Sequence, residues 1–200
     1  MITLCMDTSQ NFLVLALLEN GRLIDSVQKT CWKRQSEELF PQLQELLNRH
    51  HLSSDDIGEI VITIGPGSYT GVRIAMTVAK VFCTLKQIPL YTLGSLQLAA
   101  GMHEHVHVIM DARGHRAYHA VYEHGAAVSR PEAADLDLLR EQIQDEPVLG
   151  DARLIGREDC WPDLAANFAE LRSRRQPVEN IHLLVPEYLK NSDAYLVKKS

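Results

Sequence analysis

The sequence predicts a two-lobed α/β fold, and three observations carry that prediction. Two segments open alike: a strand, an Asp at its end, then a second strand closed by a Gly turn. A glycine-rich loop joins a buried strand to a helix. Apolar residues recur at helical spacing after a marked helix start. The repeat is a shift of 104 positions, which lays Met6 on Met110, Asp7 on Asp111, Ala16 on Ala120, Glu19 on Glu123 and Gly21 on Gly125. Equal spacing of strand, carboxylate and turn is the trace a structural duplication leaves. The lobes are expected to meet near Gly101, with a first lobe over 1–100 and a smaller second lobe over 101–200.

The elements follow in order. Residues 2–6 form an apolar strand ending at Asp7-Thr8-Ser9. Runs at 12–18 and 22–28 flank Asn20-Gly21, the strongest short hairpin signal. Ser36-Glu37-Glu38 starts a helix in which Leu39, Phe40, Leu43, Leu46 and Leu47 share a face. Pro41 fits that helix in its first turn, where no N–H is needed. A buried strand at 60–64 leads through Gly65-Pro66-Gly67-Ser68-Tyr69-Thr70-Gly71 to a helix over 72–85. The second half repeats the theme with strands at 106–110 and 116–122.

Composition narrows the function. The 200 residues are 46% hydrophobic and carry a net charge of −6. A balance this acidic argues against the chain holding nucleic acid alone, because phosphate contacts need a basic face. Arg172, Arg174 and Arg175, with Lys198 and Lys199, could brush phosphate but read first as solvated charge. Cys5, Cys31, Cys83 and Cys160 form no C-x-x-C pair and read as reduced core residues of a cytoplasmic protein. The N-terminal strand meets an Asp at once, so neither a signal peptide nor a membrane span is expected.

The glycine loop has two readings. Its glycines and the following helix N-terminus make a phosphate cradle, or they make a rigid turn that aims the helix. The loop is not a P-loop, since no Lys follows the last Gly. His103-Glu104-His105-Val106-His107 contains H-E-x-x-H, which binds zinc only on a helix. Here the alternation predicts a loop running into a strand, where His103 and His107 stand roughly 13 Å apart. No metal site is expected beyond a weak adventitious one at His103, His105 and His107, and the segment reads first as a solvated loop before a strand.

The segment Gly65 to Ile74 resembles the G-P-G-S-[FY]-T-G-[LV]-R-I hallmark of the TsaB (YeaZ) family. Asp7-Thr8-Ser9, Arg34-Gln35-Ser36-Glu37 with Pro41, Asp111-Ala112-Arg113 with Tyr118, Trp161-Pro162-Asp163-Leu164 and Pro186-Glu187-Tyr188-Leu189-Lys190 resemble its other segments, in order. Gln35 departs from the family's His. The resemblance implies an actin-like (ribonuclease H-like) fold with a shortened second lobe. It also implies a non-catalytic subunit of the machinery that makes threonylcarbamoyladenosine (t6A) beside the tRNA anticodon. The implied partners are the catalytic sister TsaD, the ATPase TsaE, tRNA through the complex alone, and a second copy when TsaD is absent. Metal and nucleotide would sit on those partners, leaving no cofactor in this chain. Asp7, Thr8, Ser9, Gly65, Gly67, Ser68, Gly71 and Asp111 are then the remnants of a degraded phosphate site, because Asp7 and Asp111 lack the usual glycines and no Gly-Gly occurs.

The helix over 72–85 is apolar over roughly 220°, far more than the ~100° one core needs. It is either buried within its own domain or meets a partner. The resemblance implies the second, with Leu39, Leu43, Leu46, Ile74, Val78, Val81, Phe82 and Leu85 at the contact. Two rival functions come from other classes: a homodimeric nucleotide-binding module, and a metallopeptidase-like enzyme.

Overall fold

The computed structural model describes residues 1–189. The expected roles of Lys198 and Lys199, and the end of the Pro186 segment at Lys190, lie outside the described residues. The chain order is β1 (Ile2–Asp7), β2 (Phe12–Glu19), β3 (Arg22–Thr30), α1 (Gln35–Arg49), β4 (Ile57–Thr63), α2 (Tyr69–Lys86), β5 (Leu90–Leu93) and α3 (Ser95–Ala100). It continues with β6 (Val106–Asp111), β7 (Arg116–Glu123), β8 (Ala126–Ala127), β9 (Glu132–Asp135), α4 (Leu136–Ile143), β10 (Val148–Gly150), α5 (Leu164–Glu170) and β11 (Gln176–Pro177).

Two sheets result. The first runs β11-β5-β4-β1-β2-β3, and the second runs β10-β6-β7-β8 with β9 also on β7. Side chains alternate across a strand, and here both faces are covered, so the central strands read as unbroken apolar runs. On β2, Leu13, Leu15 and Leu17 pack with α1 and α2, while Val14, Ala16 and Leu18 point into the layer between the sheets. That middle layer holds α3 and α5 against Val106, Val108 and Met110 of β6. Helix α4 covers the far face of the second sheet through Leu136, Leu139 and Ile143. The stack is therefore helices, sheet, helices, sheet, helix.

The repeat is visible in this frame. β6 and β7 occupy the positions of β1 and β2 shifted by 104, residue for residue at both ends. Gly21 and Gly125 close the two hairpins with φ of 84° and 76°. The halves do not stay apart, however. β11, from the second half, pairs with β5 in the first sheet. Gln28 of β3 accepts from the Leu164 N–H and donates to the Pro162 carbonyl (2.8 and 2.9 Å), tying the start of α5 to the first lobe.

Several expectations need correction. α2 begins at Tyr69, three residues early, because Ser68 Oγ caps it by accepting from the Gly71 N–H. Pro41 lies well inside α1, not in its first turn. It sits on the solvent side, where water can reach the carbonyl its ring leaves unbonded. Phe40 leaves the buried stripe of α1 and is 60% exposed. Cys160 is exposed, unlike the three other cysteines.

Candidate functional site

The glycine loop folds onto the turn between β1 and β2. Asp7 ends β1 fully inside the protein and accepts from the Thr63 hydroxyl and from the Ser9 N–H (2.9 Å). Thr8 donates its hydroxyl to the Gly71 carbonyl (2.6 Å) and accepts from the Ala75 N–H of α2 (3.1 Å). The Ser68 N–H donates to the Ser9 carbonyl at 2.8 Å. A Cβ on Gly67 would strike the Ser9 carbonyl oxygen, and one on Gly71 the Thr8 carbonyl oxygen. These glycines serve backbone-to-backbone approach. The Gly71 N–H at the start of α2 is taken by Ser68 Oγ, and the Ser9 and Thr8 carbonyl oxygens that crowd Gly67 and Gly71 would repel an anion. Of the two readings of the loop, the geometry is that of the turn that aims a helix.

Asp7, Thr8, Ser9, Gly67, Ser68 and Gly71 thus come together. Gly65 stands apart, its carbonyl accepting from the Ser95 N–H at the start of α3 (2.7 Å). Asp111 repeats the Asp7 turn in the other lobe, accepting from the Arg113 N–H at 2.7 Å. Gln35 is buried and donates to the Gln10 carbonyl (2.9 Å), holding the β1–β2 turn to the start of α1. A cleft of ≈ 350 Å³ lies between the two Asp turns, lined by Asn11, Trp32, Lys33, Gln35 and Arg113 among others.

Burial pushes the Asp7 carboxyl above its usual range, against hydrogen bonds from Thr63, Ser9 and Thr8 that pull it down. A raised acid holds its proton more tightly folded than unfolded. Stability is therefore greatest below the unfolded pKa near 3.9 and declines as pH rises through the folded pKa. Asp7→Asn keeps an acceptor oxygen for Thr63 and Ser9 and removes the buried charge. We expect it to raise Tm at neutral pH, with the advantage over wild type vanishing near pH 4. Thermal melts across that range check it, and a lower Tm at neutral pH would overturn the assignment of Asp7 to the turn.

The outer face of the first lobe has a different character. Leu39, Leu43 and Leu46, expected at a partner surface, are in the chain's own core, as are Val72, Ala75, Met76, Ala79 and Cys83 of α2. The remaining apolar positions of α2 face outward. Ile74, Val78 and Phe82 are half-buried, Val81 is 55% exposed and Leu85 77%. Ile74, Val78, Val81 and Leu85 are spaced by four, three and four residues and so share one stripe. Between α1 and α2 runs an apolar groove of ≈ 400 Å³ with Phe40, Tyr69, Ile74 and Val78 in its walls. The chain after β11 borders this stripe: Lys80 donates to the carbonyls of His182 and Leu184 (both 3.0 Å), and Tyr188 stacks on Tyr69 at 5.5 Å.

Arg175, read from the sequence as solvated charge, is an internal ion-pair partner. Its guanidinium makes two hydrogen bonds to Glu59 (2.6 and 3.1 Å) and lies 4.0 Å from the Tyr91 ring centroid. Arg172 and Arg174 are exposed and donate to carbonyls of the two hairpin turns, Asn20 and His124. His107, within the strand expected at 106–110, is buried on β6, and His119 beside it has its pKa pushed down to about 4 by burial and by His107.

Two sheets sharing a helix layer, each opening with a strand, an Asp turn and a hairpin, define an actin-like (ribonuclease H-like) fold with a reduced second lobe. A family described as TsaD, tRNA N6-adenosine threonylcarbamoyltransferase, matches residues 28–142, and the chain belongs to it. Within that family it is similar to the tRNA threonylcarbamoyladenosine biosynthesis protein TsaB of Bacillus subtilis, 28% identical over 97% of this chain and 96% of that one. It is also similar to TsaB of Escherichia coli, 27% identical over 80% of this chain and 74% of that one. Among solved structures it matches YeaZ from Pseudomonas aeruginosa with a TM-score of 0.76, at 22% identity, over 94% of this chain and 99% of that one. No helix among the described residues is long and apolar enough to cross a membrane.

Proposed function

We propose that the chain is the non-catalytic scaffold subunit of a cytoplasmic tRNA threonylcarbamoyltransferase assembly. It pairs with the catalytic sister TsaD through α1 and α2, helps recruit the ATPase TsaE, and meets tRNA only through the complex. Alone, it pairs with a second copy through the same face. Metal, nucleotide and acyl transfer belong to the partners. Involvement in t6A biosynthesis is supported by the names of the relatives. The observation that carries the scaffold role is the outward stripe Ile74, Val78, Val81 and Leu85 beside Phe40, an apolar surface on a rigid two-helix frame.

The test is to mix the chain with TsaD from the same organism and weigh the product by size-exclusion chromatography with light scattering. We expect a 1:1 heterodimer. Val81→Glu, within the stripe, or Leu85→Glu, at its C-terminal end, places a charge on this surface and should weaken pairing at least a hundredfold. Both side chains are exposed, so each variant should keep the Tm of the isolated chain. Separate elution of the wild-type proteins would sink the scaffold reading. The cleft between the Asp turns favours one rival, the homodimeric nucleotide-binding module. Micromolar ATP binding to the isolated chain, read by calorimetry, would support it.

A further inference from the structure

The far face of the second sheet carries a cluster of imidazoles and carboxylates that the scaffold role does not use. His107 of β6 and His105 just before it alternate onto one face, since side chains two apart share a side. The β6–β7 register sets His107 opposite Val121 and Ile109 opposite His119, so His119 lies diagonally beside His107. β10 runs parallel to β6 with Val148 opposite His107, which brings Glu146, two residues earlier, to the same place. His105 Nε2 and His107 Nε2 both reach one carboxylate oxygen, Glu146 Oε2, at 3.0 and 2.9 Å.

The second nitrogen of each ring is held from behind. His105 Nδ1 lies 2.9 Å from Glu123 Oε1, and His107 Nδ1 lies 2.9 Å from His119 Nε2. The contact with His119 turns His107 so that its Nε2 faces Glu146. Glu123 does the same for His105. Two imidazoles whose Nε2 atoms converge on one carboxylate, each ring oriented at Nδ1, form the arrangement a borderline metal ion selects, the ion displacing the ring protons that face Glu146.

We propose that His105 Nε2, His107 Nε2 and the Glu146 carboxylate bind one divalent transition metal ion of the zinc class. The three ligand atoms lie within 4.8 Å of one another. Bonds of about 2.1 Å to a tetrahedral ion need ligand separations of about 3.4 Å, against 3.0 and 2.9 Å from the two Nε2 atoms to Glu146 Oε2, so that small side-chain shifts admit the ion between each imidazole and the carboxylate. His105 and Glu146 are solvent-exposed, which leaves the fourth position to water. The ion would staple the segment between α4 and β10 to the edge of β6. The H-E-x-x-H spacing is incidental to it: His103 takes no part, and Glu146 comes from about forty residues away. The proposal is independent of the partner reading, since the site lies on the opposite lobe from α2.

The test uses the full chain, purified without a histidine tag and stripped with EDTA, titrated with zinc chloride by calorimetry. We expect one ion per chain and a rise in Tm with added zinc. His105→Gln and Glu146→Gln remove exposed ligands and should each weaken binding at least tenfold. Glu123→Gln should weaken it about tenfold without removing a ligand. Asp137→Asn, in the separate His115, Asp135, Asp137 group, should bind as wild type. Circular dichroism shows that each variant is folded. No binding by the wild-type chain, or wild-type affinity in both His105→Gln and Glu146→Gln, would overturn the proposal.

Discussion

Arg175→Ala will destabilise the chain by about 3–5 kcal/mol, the cost of leaving a buried carboxylate without its counter-charge. Glu59 sits on the central strand β4 with its side chain 3% exposed. Thr3 of β1 donates to it at 2.7 Å, and Arg175 closes the other side with two bonds. Arg175 also anchors β11 by lying on Tyr91 of β5, so its loss frees the strand that returns the second half to the first sheet. Burial raises the Glu59 pKa, but the hydrogen bonds from Arg175 and Thr3 outweigh it and hold it below the usual carboxylate range. A depressed acid gives stability above its unfolded pKa, about 4.3, and loses it as pH falls through the folded pKa. Without Arg175 the sign inverts, because the unpaired carboxylate takes up a proton more readily folded than unfolded. The gap between wild type and Arg175→Ala should therefore narrow on acidification to about pH 4. Denaturant melts at both pH values measure it. The double variant Glu59→Gln with Arg175→Met should recover most of the loss, since a neutral amide still accepts from Thr3 and needs no counter-charge. An Arg175→Ala cost below about 1 kcal/mol would put the guanidinium in solvent after all.

Contacts of this kind mark where the sequence stops being legible. The repeat at a spacing of 104 was readable because it is local: each copy is a strand, an Asp that accepts from the N–H two residues on, and a hairpin with Gly at positive φ. The hairpin at Asn20-Gly21 and the two long helices were readable for the same reason. The Glu59–Arg175 pair joins residues 116 apart through a two-residue strand, which leaves no periodic signal. In α1 the helical wheel grouped Phe40 with Leu39, Leu43 and Leu46. A wheel finds an apolar face but does not say how much of it the same chain covers, and here only Phe40 is left for the surface. The histidine cluster was half legible. The alternation of His105 and His107 was visible, yet its partners His119 and Glu146 arrive through strand register and a parallel crossover.

The opposite case is a motif that was legible with its cause hidden. Gly71→Ala should destabilise the chain by about 3 kcal/mol or more, although helix propensity alone predicts the reverse. Gly71 is the third residue of α2, and Ala in place of Gly within a helix ordinarily stabilises by about 1 kcal/mol. Its φ is not in the left-handed region, so backbone strain does not demand glycine here. What demands it is the Thr8 carbonyl oxygen, which occupies the place of the missing Cβ, with the Ser68 side chain 3.1 Å from it. The methyl would push the β1–β2 turn off the helix. Thr8 would then lose both buried hydrogen bonds, to the Gly71 carbonyl and from the Ala75 N–H, each contributing about 1 kcal/mol. Gly114→Ala is the matched control. It has φ of +64° and nothing within 4 Å of its Cβ position, so it should cost about 1 kcal/mol through backbone strain alone. A Gly71→Ala chain as stable as wild type would mean that the loop and turn are not in contact, and would reopen the cradle between them to an anion. The expected loss instead makes the glycine motif a packing signature: it fixes the N-terminus of α2 against β1, and so fixes where the stripe from Ile74 to Leu85 points.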